Sequence, residues 1–180
     1  MRAKRLVILF LLAASAQALA DSQWVLTDST LTYHVSHPLH QTEGVSHEAR
    51  GKGNCHAGQC DFLIAVPVKS FDSGDSNRDL HMIQVTRGAE FPMVVVRTHL
   101  PESAAGETTI HADLEIQFAG QTVHYNQVPF QLQMEGNEAK LSGTIAITLT
   151  DFKIPPPTLL TMPVKNDVPI RIEMTWQKQQ

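Results

Sequence analysis

Residues 70–82 read S-F-D-S-G-D-S-N-R-D-L-H-M. This run lies between two apolar, strand-like segments, residues 62–68 and 91–96. Asp72, Ser73, Gly74, Asp75, Ser76 and Asn77 favour local side-chain-to-backbone bonds and tight turns. Ser76-Asn77-Arg78-Asp79 then fits the S-x-x-D/E start of a helix, and helix-compatible residues follow. A short polar-capped helix that interrupts a β-patterned chain needs a place to sit, and the mouth of a barrel supplies one.

Downstream of residue 100 the chain alternates by two. Ile110, Ala112, Leu114, Ile116 and Phe118 are apolar, with His111, Asp113, Glu115 and Gln117 between them. Val168, Ile170, Ile172, Met174 and Trp176 repeat the pattern, as do Val128, Phe130, Leu132 and Met134, and Ile145, Ile147 and Leu149. Such alternation marks strands with one buried and one wet face. Eight strands are predicted: 24–37 (interrupted near Asp28), 45–52, 60–68, 91–100, 108–118, 122–134, 139–150 and 167–177. Turn residues at Ala119-Gly120 and Glu135-Gly136-Asn137 separate them. Consecutive strands with short turns form an antiparallel meander, and closure into a barrel removes its edges. The prolines of Ile154-Pro155-Pro156-Pro157 exclude a central strand there and suggest a loop or rim segment. A membrane barrel would turn apolar residues outward between aromatic girdles. Aromatics are only 6% of this chain and its end, residues 177–180, is polar, so the apolar face is expected inside.

At the amino terminus, Arg2, Lys4 and Arg5 precede a short apolar run, and Ala18-Leu19-Ala20 supplies a small-x-small site before Asp21. These features predict a signal peptide over residues 1–20, cleaved between Ala20 and Asp21; the run is too short to span a bilayer. The mature chain, residues 21–180, is then expected as one domain in the periplasm or secreted, not as an integral membrane protein. Without the peptide's three basic residues, 11 of the 14 remain against 18 acidic ones, a net −7 with histidine neutral. That balance argues against nucleic acid and anionic membrane surfaces as partners. The two cysteines, Cys55 and Cys60, form an even pair in an oxidising compartment, which predicts a disulfide. The alternative reading joins both thiolates and His56 to a metal, although the spacing matches no standard zinc or haem pattern.

Three stretches together resemble the YceI-like proteins, described as polyisoprenoid-binding or lipid-binding periplasmic proteins. They are L-T-Y-H-V-S-H (residues 31–37), the 70–82 run followed by Glu90-Phe91-Pro92, and L-S-G-T-I-A-I-T-L-T-D-F-K-I (residues 141–154). The resemblance implies a lipocalin-like, antiparallel, eight-stranded β-barrel with a helical insertion after the third or fourth strand. It implies binding of an amphiphilic lipid with a long apolar tail, such as a polyisoprenoid or an isoprenoid quinone, without catalysis and without a resident cofactor. The Cys55–Cys60 pair lies outside the pattern associated with that family.

On that reading the insertion folds over one barrel opening. Candidate ligand contacts are Phe71, Arg78, Asp79, Leu80, His81 and Met82 in the insertion, with Phe91, Phe118, Phe130 and Phe152 around the barrel. Arg78 and Asp79 either meet the head group or brace the helix. Two other functions compete. Histidines at 34, 37 and 40, with His47 and His56 near in sequence, suggest a metal-binding module. His34 and His37 nevertheless fall on opposite faces of a strand. A protein-interaction module, or a homodimer, is also compatible with the sequence. An enzyme is disfavoured: the chain has no G-x-S-x-G, no glycine-rich phosphate loop, and its only two thiols are expected to pair.

Overall fold

The computed structural model describes residues 21–38, 40–159 and 161–179. The expected signal peptide, with Ala20 on its side of the cleavage point, lies outside the described residues. Among the described residues eleven strands and one α-helix follow in order. They are β1 (Ser22–His37), β2 (His40–Ser46), β3 (Arg50–His56), β4 (Gln59–Pro67), α1 (Ser76–Val85), β5 (Met93–Pro101), β6 (Thr109–Phe118), β7 (Gln121–Glu135), β8 (Glu138–Thr148), β9 (Thr158–Leu159), β10 (Met162–Pro163) and β11 (Asp167–Gln179).

Neighbours in sequence pair antiparallel from β3 to β8, β8 pairs with β11, and β11 returns to β1. The last contact closes the ring: Gln23 lies opposite Gln179 and Tyr33 opposite Ile170. β2 and β3 share one position in that ring. β2 pairs with the second half of β1 and β3 with its first residues, so the barrel has eight staves, all antiparallel. The stave predicted as a single strand over 45–52 is thus longer and broken at residues 47–49. The break faces a bulge in β1 between Leu26 and Asp28, where no regular partner is available. The His47 Nδ1 closes the gap by contact with the Ser29 carbonyl at 3.1 Å.

Bulges also change which residues face inward. Trp24 and Leu26 are buried at even positions of β1, whereas Leu31, Tyr33 and His37 are buried at odd ones, because the extra residue reverses the phase. β7 does the same. Ala112 pairs with Val128 but Leu114 pairs with Tyr125, so the extra residue lies in β7. There Gln127 has φ 54°, and Asp113 Oδ1 accepts its backbone N–H (2.7 Å) and its side-chain Nε2 (3.1 Å). Those two donors lower the Asp113 carboxyl below its ordinary range.

Cys55 and Cys60 face each other across the β3–β4 hairpin and form a disulfide. Chain-entropy arithmetic for so small a loop gives about 2 kcal/mol.

The helix begins one residue earlier than the S-x-x-D pattern implied. Asp75 is the N-cap, accepting from the backbone N–H of Asn77 (2.9 Å) and Arg78 (3.2 Å). The Asp79 carboxylate instead reaches back to the Ser73 N–H at 3.0 Å. Two backbone bonds between Asp72 and Val45, each 2.9 Å, tie the insertion to the edge of β2. The turn chemistry of 72–77 is therefore used to moor α1 over one barrel end. The same end carries the β9–β10 hairpin, just beyond the proline run that reads as rim. At the opposite end lie the tight β3–β4 and β7–β8 turns, a 3-10 turn over Glu102–Gly106, and the finish of β11, which continues to Gln179.

Candidate functional site

The alternating apolar residues meet inside the ring, but they do not fill it. A cavity of about 710 Å³ runs along the barrel, bounded at one end by α1 and the rim and at the other by residues 101, 102, 104, 105, 136, 137 and 178. The volume falls within the range of small-molecule and cofactor sites. Its wall includes Leu31, Ile64, Val66, Val94, Val96, Leu114, Ile116, Leu132, Leu141, Ile172 and Met174. An unpartnered hydroxyl interrupts this surface: Thr98 is 7% exposed and the described residues give its Oγ1 no hydrogen-bond partner.

Aromatic side chains also face the lumen, more of them than the sequence reading placed there, and glycine explains why they leave it open. Tyr33 lies directly across from Gly44, Phe62 from Gly53 and Phe130 from Gly143. A Cβ at Gly143 would meet Phe130 Cδ1 at 2.5 Å, and one at Gly51 would meet Trp176 at the same distance. A Cβ at Gly44 or Gly53 would likewise collide with the facing ring. Each ring therefore lies against bare backbone, close to the wall, instead of projecting across the bore. Phe62 and Trp176 meet edge to face over this floor, with centroids 5.2 Å apart. Gly53→Ala is expected to push the Phe62 ring into the lumen, at a cost of about 1–3 kcal/mol, the usual range for overpacking. Thermal melts of Gly53→Ala alone and with Phe62→Leu check this. The second change should restore most of the loss, and a melt unaffected by Gly53→Ala would contradict the packing described.

The insertion presents one helical stripe to the mouth: Arg78, His81, Met82, Val85 and Thr86 all line the cavity. Their spacing is that of one face of an α-helix. Of the candidates named from sequence, Phe71, Arg78, His81, Met82, Phe118 and Phe130 line it. Four others lie elsewhere. Leu80 falls between stripe positions and is 56% exposed. Asp79 is engaged with the Ser73 amide. Phe91 covers Gly120 and lies 4.6 Å beneath the Arg87 guanidinium. Phe152 is fully buried behind the wall, its ring edge on Phe118 at 5.4 Å. Val85 and Thr86 were missed by the sequence reading, although stepping from Arg78 by three and four reaches both. The rim residues Val35, Thr42, Pro157 and Val164 also line the mouth, and no local pattern marks them.

Charges of both signs meet at this mouth: Asp79 and Asp72 act on Tyr33 against Arg78. Arg78 is exposed, donates to the Ser73 carbonyl at 2.9 Å, and forms no ion pair with a described residue. His81 is exposed beside it. Tyr33, packed on Phe71 at 5.7 Å, is held above its ordinary pKa by burial and then by the nearby Asp79 charge, so its phenol stays neutral. A cation, an imidazole and a neutral hydroxyl thus line the entrance to an apolar bore, with the Asp79 carboxylate close by on the Ser73 amide.

The histidines disperse. His34 pairs outward with Glu43 (3.0 Å), His56 with Asp21 (2.7 Å) and His99 with Asp61, while His37 faces inward with its Nε2 3.2 Å from the Met162 carbonyl. The side chain of His40 lies outside the described residues. Among the described residues no group of three His, Cys, Asp or Glu is placed to hold a metal ion. No helix among them is long and apolar enough to cross a membrane.

Comparison with known proteins places this architecture. A polyisoprenoid-binding domain from Saccharophagus degradans, implicated in plant cell wall breakdown, superposes with a TM-score of 0.72 at 12% identity, covering 87% of this chain and 98% of that one. Burkholderia cenocepacia BcnA gives 0.69 at 16% identity, covering 82% and 95%. A Campylobacter jejuni YCEI protein gives 0.53 at 13% identity, covering 67% and 72%. A search of the curated proteins found no match. The solved structures share the fold, and the sequence itself carries the family assignment: the model of the YceI-like domain matches residues 24–176, so the chain belongs to the YceI-like family.

Proposed function

We propose that the mature chain, residues 21–180, is a periplasmic binding protein that sequesters or carries one amphiphilic lipid of polyisoprenoid or isoprenoid quinone type. The tail lies in the bore and the head sits beside α1. The observation that carries this reading is the continuous apolar lumen, kept hollow by rings laid on glycine. Burial of ten methylenes at ~0.8 kcal/mol each would contribute roughly 8 kcal/mol, and ordering the chain and losing its free motion reduce that considerably. The reading needs no reactive group and no metal. The name of the Saccharophagus degradans domain supports the ligand class. The predicted signal peptide supports the compartment.

Arg78 is then the contact for a charged head. A charge-assisted hydrogen bond is worth roughly 1.5–3 kcal/mol, and exposure places this one near the lower end. Arg78→Ala should weaken binding of a polyprenyl phosphate about tenfold and leave an uncharged quinone unchanged. Fluorescence titration through Trp24 and Trp176, both in the lumen wall, reads both affinities. Equal affinity of the variant for the phosphate, with lowered stability, would leave Arg78 only its brace on Ser73.

A further inference from the structure

The alternation that lines the bore does not stop at its last apolar residue. Val168, Ile170, Ile172, Met174 and Trp176 occupy the inward phase of β11, and Lys178 is next in that phase. A lysine there is out of keeping with an apolar floor. Its ammonium lies 4.0 Å from Glu102 Oε1 and 5.9 Å from the centre of the Trp24 ring. Glu102 follows β5, and β5 and β11 stand across the ring from each other, four steps apart in either direction. The ion pair is therefore a bar across the end of the barrel remote from α1.

Residues beside the bar reach both the cavity and the solvent. Pro101, Ala105 and Asn137 line the cavity and are also exposed to solvent. The bar itself is part exposed, with Lys178 at 37% and Glu102 at 29%. A pair of this kind contributes little, so parting it costs little. From Val168 to Lys178 the strand runs roughly 33 Å, or about 25 Å along an axis tilted as barrel strands are. A tail longer than that would be excluded by a sealed floor.

We propose that the Glu102–Lys178 end is a second portal, through which the distal end of a linear polyprenyl-type tail longer than the bore leaves the barrel. The identity of the tail rests on the lipid reading above; the portal rests on the geometry. With it, affinity rises with chain length until the bore is full and then levels off. With a sealed floor, affinity would fall for chains that overrun it.

Two measurements test this. The first is collisional quenching by acrylamide of Trp24 and Trp176, the only two tryptophans of the chain. Glu102→Gln should raise the quenching constant about twofold, and the plugged variant Ala105→Phe/Asn137→Phe should lower it about twofold, as the open population shifts. The second is binding of polyprenols of increasing length to the wild type and the plugged variant. The variant should lose at least about tenfold more for the longest chains than for those that fit the bore. Quenching indifferent to both substitutions overturns the portal whichever lipids bind, as does a plugged variant that holds the longest chains like the wild type. Quenching that responds, with no polyprenol bound at any length, keeps the opening and overturns the lipid reading.

Discussion

Ala112→Trp is expected to abolish lipid binding while leaving the protein as stable as before, or more so. Ala112 lies on β6 in the lumen wall, is almost fully buried, and faces the bore beside Ile110 and Leu114. In a filled core, an indole at this position would force its neighbours from their rotamers and cost about 1–3 kcal/mol. The 710 Å³ lumen instead offers room for it. An aromatic side chain buries roughly 150–250 Å², and at about 25 cal/mol per Å² that burial is favourable by several kcal/mol before entropy is counted. The same indole denies space to the tail. Displacing four methylenes at ~0.8 kcal/mol each removes about 3 kcal/mol, which is more than a hundredfold in affinity. Denaturant melts and lipid titration of one variant thus test hollowness and occupancy together. A large loss of stability would mean the interior was already full.

Phe152→Ala should be the most destabilising single change in the wall. Phe152 is 1% exposed, in the 3-10 turn after β8, and its ring backs Phe118 edge to face. It faces packed protein, not the lumen, so nothing refills the space it leaves. Truncations of this type cost about 3–5 kcal/mol. For a chain of this size the melting temperature should fall by roughly 10–15 °C. The contrast with Ala112 is the point: adding bulk on the lumen side is tolerated, and removing bulk behind the wall is not. A loss below about 1 kcal/mol on calorimetry would show that the site collapses freely, contrary to close packing.

Much of this architecture could be read from residue spacing. The inward phases of β6, β8 and β11 follow directly from their alternation, and the 72–77 turn chemistry located the helix. What escaped has physical causes. The interruption of β1 predicted near Asp28 is a bulge, but the β7 bulge, which reverses the inward phase in mid-strand, is signalled by a hydrogen bond between Asp113 and Gln127, not by a pattern. Two residues in succession, Asp75 and Ser76, could each cap α1. Asp75 does so while the Asp79 carboxylate, the other half of the anticipated capping box, goes to Ser73. Glycine carries no hydropathy signal, so the predicted 45–52 strand falls short of β2 and β3 at its two ends, although Gly44, Gly51 and Gly53 are what lets the rings lie flat. The mouth is legible only where it is helical. Arg78, His81 and Met82 share a face, whereas the rim residues come from separate connections that sequence does not join.

Native mass spectrometry of the full chain, expressed with its leader and isolated without detergent, shows whether the barrel holds a lipid. One long-tailed lipid per chain is expected, recovered intact by organic extraction and absent from the Ala112→Trp variant. Wild-type protein that carries no lipid and takes up no polyprenyl or quinone lipid when exposed to one would contradict the lipid reading.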